Sequence, residues 1–419
     1  MRCLTLGDDP QAVVAQLRSV APPPRDLEET VAAIVADVRA RGDEAVRAHT
    51  ARLDNVELPS DYSTDATDLA RALDGTAAEL RVALETAAAN VRAYHRREMP
   101  RAWRETLPQG QVVGQEIVPL STAGLYVPGG LANYPSSVLM TAIPAQVAGV
   151  GRIAICSPPR RGGGVASGVA AAAALLGIVD VLPVGGAQAI AAMAFGTGVV
   201  PRCDVIVGPG NAYVTEAKRQ VMGRVGIDGL AGPSEVFVVA DQTANPEWLA
   251  ADLLAQAEHG AGAMAALLDI GGYLSAPVGA AVERLAAELG IAADRVAVVS
   301  CADTDAALAL VNAFAPEHLE LHTADARDLV PLVRNAGAIF VGAHAATAFA
   351  DYAAGTNHVL PTGGSARFAQ GLSVVDFQKR VGVVELDGAA ARALAAPVAT
   401  IADEEGLRAH ARSARLRAE

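Results

Sequence analysis

The order of elements along this 419-residue chain predicts an α/β fold: two doubly wound domains, preceded by a helical front and followed by a helical tail. Three observations predict it. From about Pro119 short apolar runs alternate with helical stretches across Gly-rich turns, the pattern of a parallel sheet covered on both faces. The series begins afresh at Glu235, just after the segment AGPSE at 231–235, so a second sheet is expected there. The length suits two or three domains at roughly 150 residues each, with room for a sizeable core. The expected boundaries are 1–118 for the front, 119–234 and 235–383 for the two domains, and 384–419 for the tail.

In chain order, the front carries apolar residues at three- and four-residue spacing in LEETVAAIVADVRARGDEAVRAHTARL and again in DLARALDGTAAELRVALETAAANVRAYHRREM. Pro and Ser around 58–63 part the two. The first domain offers the strands RIAICS (152–157), DVLPVGG (180–186) and CDVIVGPG (203–210), with the helices VASGVAAAAALLG and NAYVTEAKRQVMGRV between and after them. The second offers EVFVVAD (235–241), the helix NPEWLAADLLAQAEH, the strands AMAALLDI and VAVVSC, and ends near AIFVG (338–342). The tail is helical and charged, and its length and amphipathicity suit docking on a partner subunit.

Composition removes several classes of function. Asp and Glu number 46 against 33 Lys and Arg, a net charge of −13, so a polyanion-binding face is not expected and nucleic acid drops out as a partner. Hydrophobic residues make up 52% of the chain and aromatic ones only 4%. The uncharged stretches 117–151, 162–179 and 181–201 are long enough to span a bilayer. The first, however, contains Pro119, Pro128, Pro135 and Pro144, the second is mostly Ala and Gly, and the third holds Pro183, Gly185 and Gly186. All three are expected to be buried α/β elements, with no membrane role. Asp8 and Asp9 stand where a signal peptide needs an apolar core. Cys3, Cys156, Cys203 and Cys301 are far apart and form no CxxC pair, which points to free thiols and a cytoplasmic location.

Three Gly-rich turns fall at successive expected strand ends: GLYVPGG (124–130), PVGGAQ (183–188) and GPGN (208–211). Glycine alone explains any one of them as a tight connection. Together they suggest backbone amides approaching a ligand at the carboxyl ends of the strands. No GxGxxG is followed by an acidic residue about 20 positions on, so a nucleotide would be held in a non-standard way. Of the eight histidines, His49, His95, His322 and His344 belong to no ligand motif and are expected to be surface or satisfied residues. The others stand in suggestive company. In QAEH, Gln256 and His259 are three apart on one helix face and could hold one metal ion. In APEHLE, Pro316 closes the preceding element and presents Glu317 beside His318, an acid/base pair. Asp351 and His358 flank the loop DYAAGTNH, and Glu405 and His410 lie in the tail segment EEGLRAH. Taken singly, each also reads as an ordinary helix end, neighbour pair, loop or solvated helix.

Taken jointly, GLYVPGG, YPSSVLM, VGGAQAIAAMAFGT, GPGNAYVTEAKRQV, AGPSE, DLLAQAEH, NAFAPEHLEL, DYAAGTNHVLPTGG, LSVVDFQKR and EGLRAH resemble, in order and spacing, the motifs of the histidinol dehydrogenase family. The resemblance runs from near Asp26 through the tail and is densest between Pro119 and Arg380. It implies Rossmann-like, aldehyde-dehydrogenase-like domains and two successive NAD-dependent oxidations, of L-histidinol to the aldehyde and then to L-histidine, the last steps of histidine biosynthesis. One zinc ion per subunit is implied, with Gln256, His259, Asp351 and His410 as ligands. His318 would take the hydroxyl proton, and Glu317 would activate the water that adds to the aldehyde. Ser234, His358 and Glu405 would contact substrate together with His318 and the metal ligands, and Tyr126, Gln188 and Asn211 would contact NAD. The tail would cross to the partner, making a homodimer with shared active sites.

Departures from the family pattern are few. PPRRGGG at 158–164 reads as a basic, flexible insertion-like loop away from the matched residues. RVGIDGLAGPSE is a few residues short, and Ala350 stands where a glycine often precedes the aspartate ligand. Three competing readings fit these residues less well, among them a catalytically silent binding homologue, which intact Glu317 and His318 disfavour. A relative acting on another amino- or sulfo-alcohol is disfavoured by Ser234, His358 and Glu405, and a zinc hydrolase has no need of Tyr126, Gln188 and Asn211.

Overall fold

The computed structural model describes residues 2–7, 9–18, 26–129, 133–260 and 262–419. Asp8 and Gly130, both used in the sequence reading, lie outside the described residues.

Two parallel sheets carry the molecule. The first has five strands in the spatial order Asp180–Leu182, Arg152–Cys156, Thr122–Tyr126, Val205–Val207, Gly226–Ile227. The second has six, in the order Arg2–Thr5, Val296–Cys301, Met264–Ile270, Glu235–Ala240, His318–His322, Ala338–Val341. Leaving out Arg2–Thr5, each sheet numbers its own strands 3-2-1-4-5, the doubly wound order, in which the chain reverses direction across the sheet beside its first strand. Apolar side chains on both faces drive this arrangement. Leu125, Ile155 and Val207 bury one face of the first sheet against the helices Pro135–Ala148 and Ser167–Leu175. Tyr126, Cys156 and Ile206 bury the other against Leu27–Arg41, Gly186–Phe195 and Ala212–Val221. The second sheet is likewise sandwiched, Phe237 and Leu268 facing one layer and Val238 and Leu267 the other. The Ala-rich helix Gly186–Phe195 is buried over most of its length, because its small side chains let it lie close on the sheet.

The ends of the chain depart from the expected pattern. The two helical stretches of the front are each broken, into Leu27–Arg41 and Asp43–Asp54 at Gly42 (φ +56°), and into Ala66–Asp74 and Ala78–Arg97 around Gly75. The segment 1–118 is also not wholly helical. Arg2–Thr5 adds a parallel edge strand to the second sheet, while Trp103–Thr106 and Val112–Pro119 join Gln378–Glu385 in a three-stranded antiparallel sheet. Those strands are largely solvent-exposed, so they lack the buried alternation that marks a strand in sequence, and their partners lie far away in the chain. The tail proper is two helices, Gly388–Glu404 and Arg408–Leu416, which meet through Ala399, Ala402 and Ala411. Among the described residues, no helix is long and apolar enough to cross a membrane. All four cysteines are free, and burial pushes the thiols of Cys203 and Cys301 up to about 12.

Candidate active site

The site grows from the amino ends of two neighbouring strands in the second sheet. Ser234 immediately precedes the strand Glu235–Ala240, and Glu317 immediately precedes its partner His318–His322, where His318 pairs with Val236. The turn into Glu317 is tightly built. Ala315 ends the helix Thr304–Phe314 in the left-handed region (φ +55°). Gly337 packs so closely that a Cβ there would lie 2.5 Å from the Glu317 carbonyl oxygen. Glu317 Oε2 accepts hydrogen bonds from Ser234 Oγ (2.6 Å) and the Glu235 N–H (2.9 Å), and His318 Nδ1 meets the Glu235 carbonyl at 3.2 Å. The other imidazole nitrogen, Nε2, lies 3.4 Å from Asp351 Oδ1. Burial alone would lower the His318 pKa, but the Glu317 and Asp351 carboxylates raise it well above the ordinary value.

Asp351 comes from the short helix Thr347–Tyr352, whose first N–H and hydroxyl are held by Glu320 Oε1 at 2.7 and 2.8 Å. Burial pulls the Asp351 carboxyl upward, yet the hydrogen bond from His318, with the charges of His318, His358 and His259, leaves it below the usual carboxylate range. His358 Nδ1 lies 2.8 Å from the Asp351 carbonyl, and burial lowers its pKa. Gln256 ends the helix Pro246–Ala257 and His259 follows it. Gln256 Oε1 is 3.4 Å from Ser234 Oγ, and His259 Nδ1 is 3.1 Å from the Ala255 carbonyl. That contact fixes the ring with Nε2 free, the usual second-sphere arrangement of a ligating histidine. Gln256, His259 and Asp351 supply an amide oxygen, an imidazole and a carboxylate, a donor set that suits zinc but is one short of four.

The structure therefore brings together Ser234, Gln256, His259, Glu317, His318, Asp351 and His358. It does not bring in Glu405 and His410, which are exposed on the tail and do not line the cleft that Ser234 and His259 line.

A cleft of about 1740 Å³ joins this group to the carboxyl ends of the first sheet, and Tyr126, Gln188, Asn211, Ser234 and His259 all line it. Tyr126 is the last residue of its strand, and its hydroxyl, pushed up to about 12 by burial, accepts the Gly186 N–H at 3.1 Å. Gln188 is buried with Oε1 unpartnered among the described residues, an acceptor that awaits a ligand. Asn211 caps the helix Ala212–Val221, its Oδ1 accepting from the Tyr213 and Val214 N–H groups. These features fit a dinucleotide at the first sheet's strand ends. The loop at 158–164 requires a correction. Arg160 and Arg161 line the same cleft as the matched residues, because the loop follows the strand Arg152–Cys156, which neighbours that of Tyr126.

One polar cluster escaped the sequence reading. His322 is neither exposed nor simply satisfied: it lies buried with Glu320 and Asp252, their donor atoms within 4.8 Å of one another, and its Nδ1 is unpartnered among the described residues. The alternation His318, Glu320, His322 in HLELH, one face of a strand, was the available signal. The members bond to one another and to Thr347, with His322 Nε2 3.2 Å from Glu320 Oε2. Burial beside Glu320 pushes Asp252 up to about 7. His95, in contrast, is satisfied as expected, by Glu98 at 2.6 Å and Asn357 at 3.2 Å.

Two doubly wound sheets sharing a cleft, with a buried Glu–His pair at its inner end, define an oxidoreductase of the dinucleotide-dependent class. Comparison with known proteins makes this particular. A sequence profile of the histidinol dehydrogenase family matches residues 20–418. The chain is 47% identical over 400 residues to histidinol dehydrogenase of Rhizobium meliloti, covering 94% of this chain and 92% of the relative. It is 45% identical over 413 residues to that of Geobacillus kaustophilus, covering 97% of each. The crystal structure of histidinol dehydrogenase from Elizabethkingia anophelis superposes with a TM-score of 0.94 at 33% identity, over 100% of this chain and 98% of the other. A propionaldehyde dehydrogenase from Clostridium phytofermentans shares the fold alone, with a TM-score of 0.50 at 13% identity over 91% and 98%. The chain belongs to the histidinol dehydrogenase family.

Proposed function

We propose that this protein oxidises L-histidinol to L-histidine through the aldehyde, reducing two NAD, as the last steps of histidine biosynthesis. The observation that carries the reading is the placement of His318 and Glu317. Both are buried, both are tied to the backbone of one residue, Glu235, and Ser234, which lines the cleft, lies between Glu317 and Gln256.

An alcohol carbon gives up hydride only as its hydroxyl proton departs, and the neutral imidazole of His318, its basicity raised by Glu317 and Asp351, is the group placed to take that proton. The second oxidation starts from the hydrated aldehyde. Glu317, whose Oε2 is oriented by Ser234 and the Glu235 N–H, is placed to draw a proton from the adding water. Gln256, His259 and Asp351 would hold one zinc ion per subunit, and Tyr126, Gln188 and Asn211 would hold NAD. When bound, zinc supplies Lewis acidity that orients and polarises the substrate, and NAD accepts the hydrides. His358 and Ser234 would contact the substrate.

The missing fourth ligand, His410, and the substrate contact Glu405 would come from the tail of a second copy in a homodimer. Exposed apolar side chains support this. Ile401 is 60% exposed on the tail, and Phe349 and Tyr352, each 63% exposed, lie on the helix that carries Asp351. The same reading divides the chain into a cofactor-side domain, 119–234, and a metal- and substrate-side domain, 235–383. Buried unpaired thiols suit a cytoplasmic location.

The test is stoichiometric. Zinc-loaded protein given L-histidinol and NAD should form two NADH per histidine, followed by absorbance and product analysis. Absence of NADH, or a reaction that stops after one equivalent, would overturn the reading.

A further inference from the structure

We infer that Glu235 is a positioning residue for the Glu317–His318 pair, through which Arg18 of the N-terminal helix supports the active site. This rests on the proton-transfer roles proposed above. Residue 235 touches both groups through its backbone: its N–H donates to Glu317 Oε2 at 2.9 Å and its carbonyl faces His318 Nδ1 at 3.2 Å. The two contacts lie on consecutive peptides joined at the Glu235 Cα, so a displacement of this one residue moves the acid and the base together.

The Glu235 side chain is a carboxyl that proton transfer does not use, 6% exposed and with Oε2 unpartnered among the described residues. The N–H groups of Gly363 and Glu317 face it, so residues 235 and 317 each present a backbone N–H to the other's carboxyl. The cation facing it is Arg18, at the end of the helix Pro10–Leu17. Arg18 is fixed in turn. Its guanidinium lies 4.2 Å above the Phe314 ring and donates to the Phe314 carbonyl, one residue before the turn that delivers Glu317, and its Nε is buried without a partner among the described residues. The charged groups around Glu235 are thus Arg18 and Glu317, with His318 on the neighbouring strand and Arg367 acting on Arg18. Burial, with Glu317 adding and Arg18 opposing, pushes the Glu235 carboxyl up to about 7. It therefore changes charge in the neutral range on the residue whose backbone holds both groups. Catalysis is sensitive to displacements of about 1 Å at such supports.

The experiment uses the zinc-loaded enzyme with Glu235→Gln and Arg18→Met, measuring zinc content, kcat, KM for L-histidinol and the pH dependence of kcat. Glu235→Gln should retain zinc, keep KM within about twofold and lower kcat by about tenfold. It should also lose an inflection near pH 7 that the parent shows. Arg18→Met, which removes the cation that favours ionised Glu235, should keep that inflection and move it to higher pH. A Glu235→Gln profile and kcat that superpose on the parent would overturn the inference, as would an inflection left unmoved by Arg18→Met. Its failure can be told from failure of the wider reading. If Glu317→Gln and His318→Asn remain active, the proton-transfer roles themselves fall; if those are inactive while Glu235→Gln behaves as parent, only the positioning role falls.

Discussion

Lys218 offers the sharpest test of how the fold builds its cofactor turn. It lies on the helix Ala212–Val221, 2% exposed, with its ammonium 2.6 Å from the Gly208 carbonyl and 2.6 Å from Asp228 Oδ1. The other carboxylate oxygen, Oδ2, accepts the Gly208 N–H at 2.7 Å. The pair thus grips Gly208 through both its N–H and its carbonyl, at a φ of +114° and so close to the neighbouring strand that a Cβ would sit 2.1 Å from the Tyr126 carbonyl oxygen. Lys218→Met keeps the apolar stem and removes the charge, leaving the Asp228 carboxylate buried and unpaired. Breaking a buried pair from one side costs about 3–5 kcal/mol, roughly a 10²- to nearly 10⁴-fold loss in the folding constant. Because the same turn carries Asn211, KM for NAD should rise while KM for L-histidinol changes little. Denaturant unfolding and initial rates against NAD measure the two effects. The double variant with Asp228→Asn should recover more than half of the lost stability, since no buried charge remains. A single variant within about 1 kcal/mol of the parent, with KM for NAD unchanged, would refute the reasoning.

Three further outcomes follow from the same geometry. His318→Asn should lower turnover by about 10²- to 10⁴-fold with a much smaller effect on KM, and near-normal turnover in steady-state assays would remove His318 as the base. Truncation before Glu404 should abolish activity, and mixing with a His318 variant should restore part of it; no rescue in verified heterodimers would speak against shared sites. Asp252, whose folded pKa of about 7 exceeds its ordinary 3.8, contributes stability that is present at low pH and lost as pH rises through about 7. Asp252→Asn should therefore gain in melting temperature relative to the parent between about pH 5 and about pH 8, and parallel melting curves across that range would contradict the assignment.

The sequence was most legible where burial imposes a pattern. The strand Val296–Cys301 lies where its apolar run placed it, and the helix Ala212–Val221 begins at the capping Asn211, as the motif suggested. It was least legible where pairing is long-range and solvent-facing. Nothing local in Trp103–Thr106 or Val112–Pro119 marks their union with Gln378–Glu385, about 260 residues onward, or the union of Arg2–Thr5 with the second sheet. His322 was misjudged because a lone histidine has no period, although the strand face it shares with His318 and Glu320 does.

The residue types of the site, and through them the family, were determined by the sequence alone, since glycine turns and the Gln–His, Glu–His and Asp…His pairs are contiguous words in the chain. Their mutual geometry belongs to the tertiary structure. Only the two sheets, meeting carboxyl ends to amino ends across one cleft, bring Gln188 and His259 to the same cleft and suspend Glu317 and His318 from the backbone of one residue, Glu235. The physical reason is that local pattern encodes which face of an element is buried, whereas the charge state and orientation of a buried carboxyl or imidazole depend on neighbours that the chain supplies from far away.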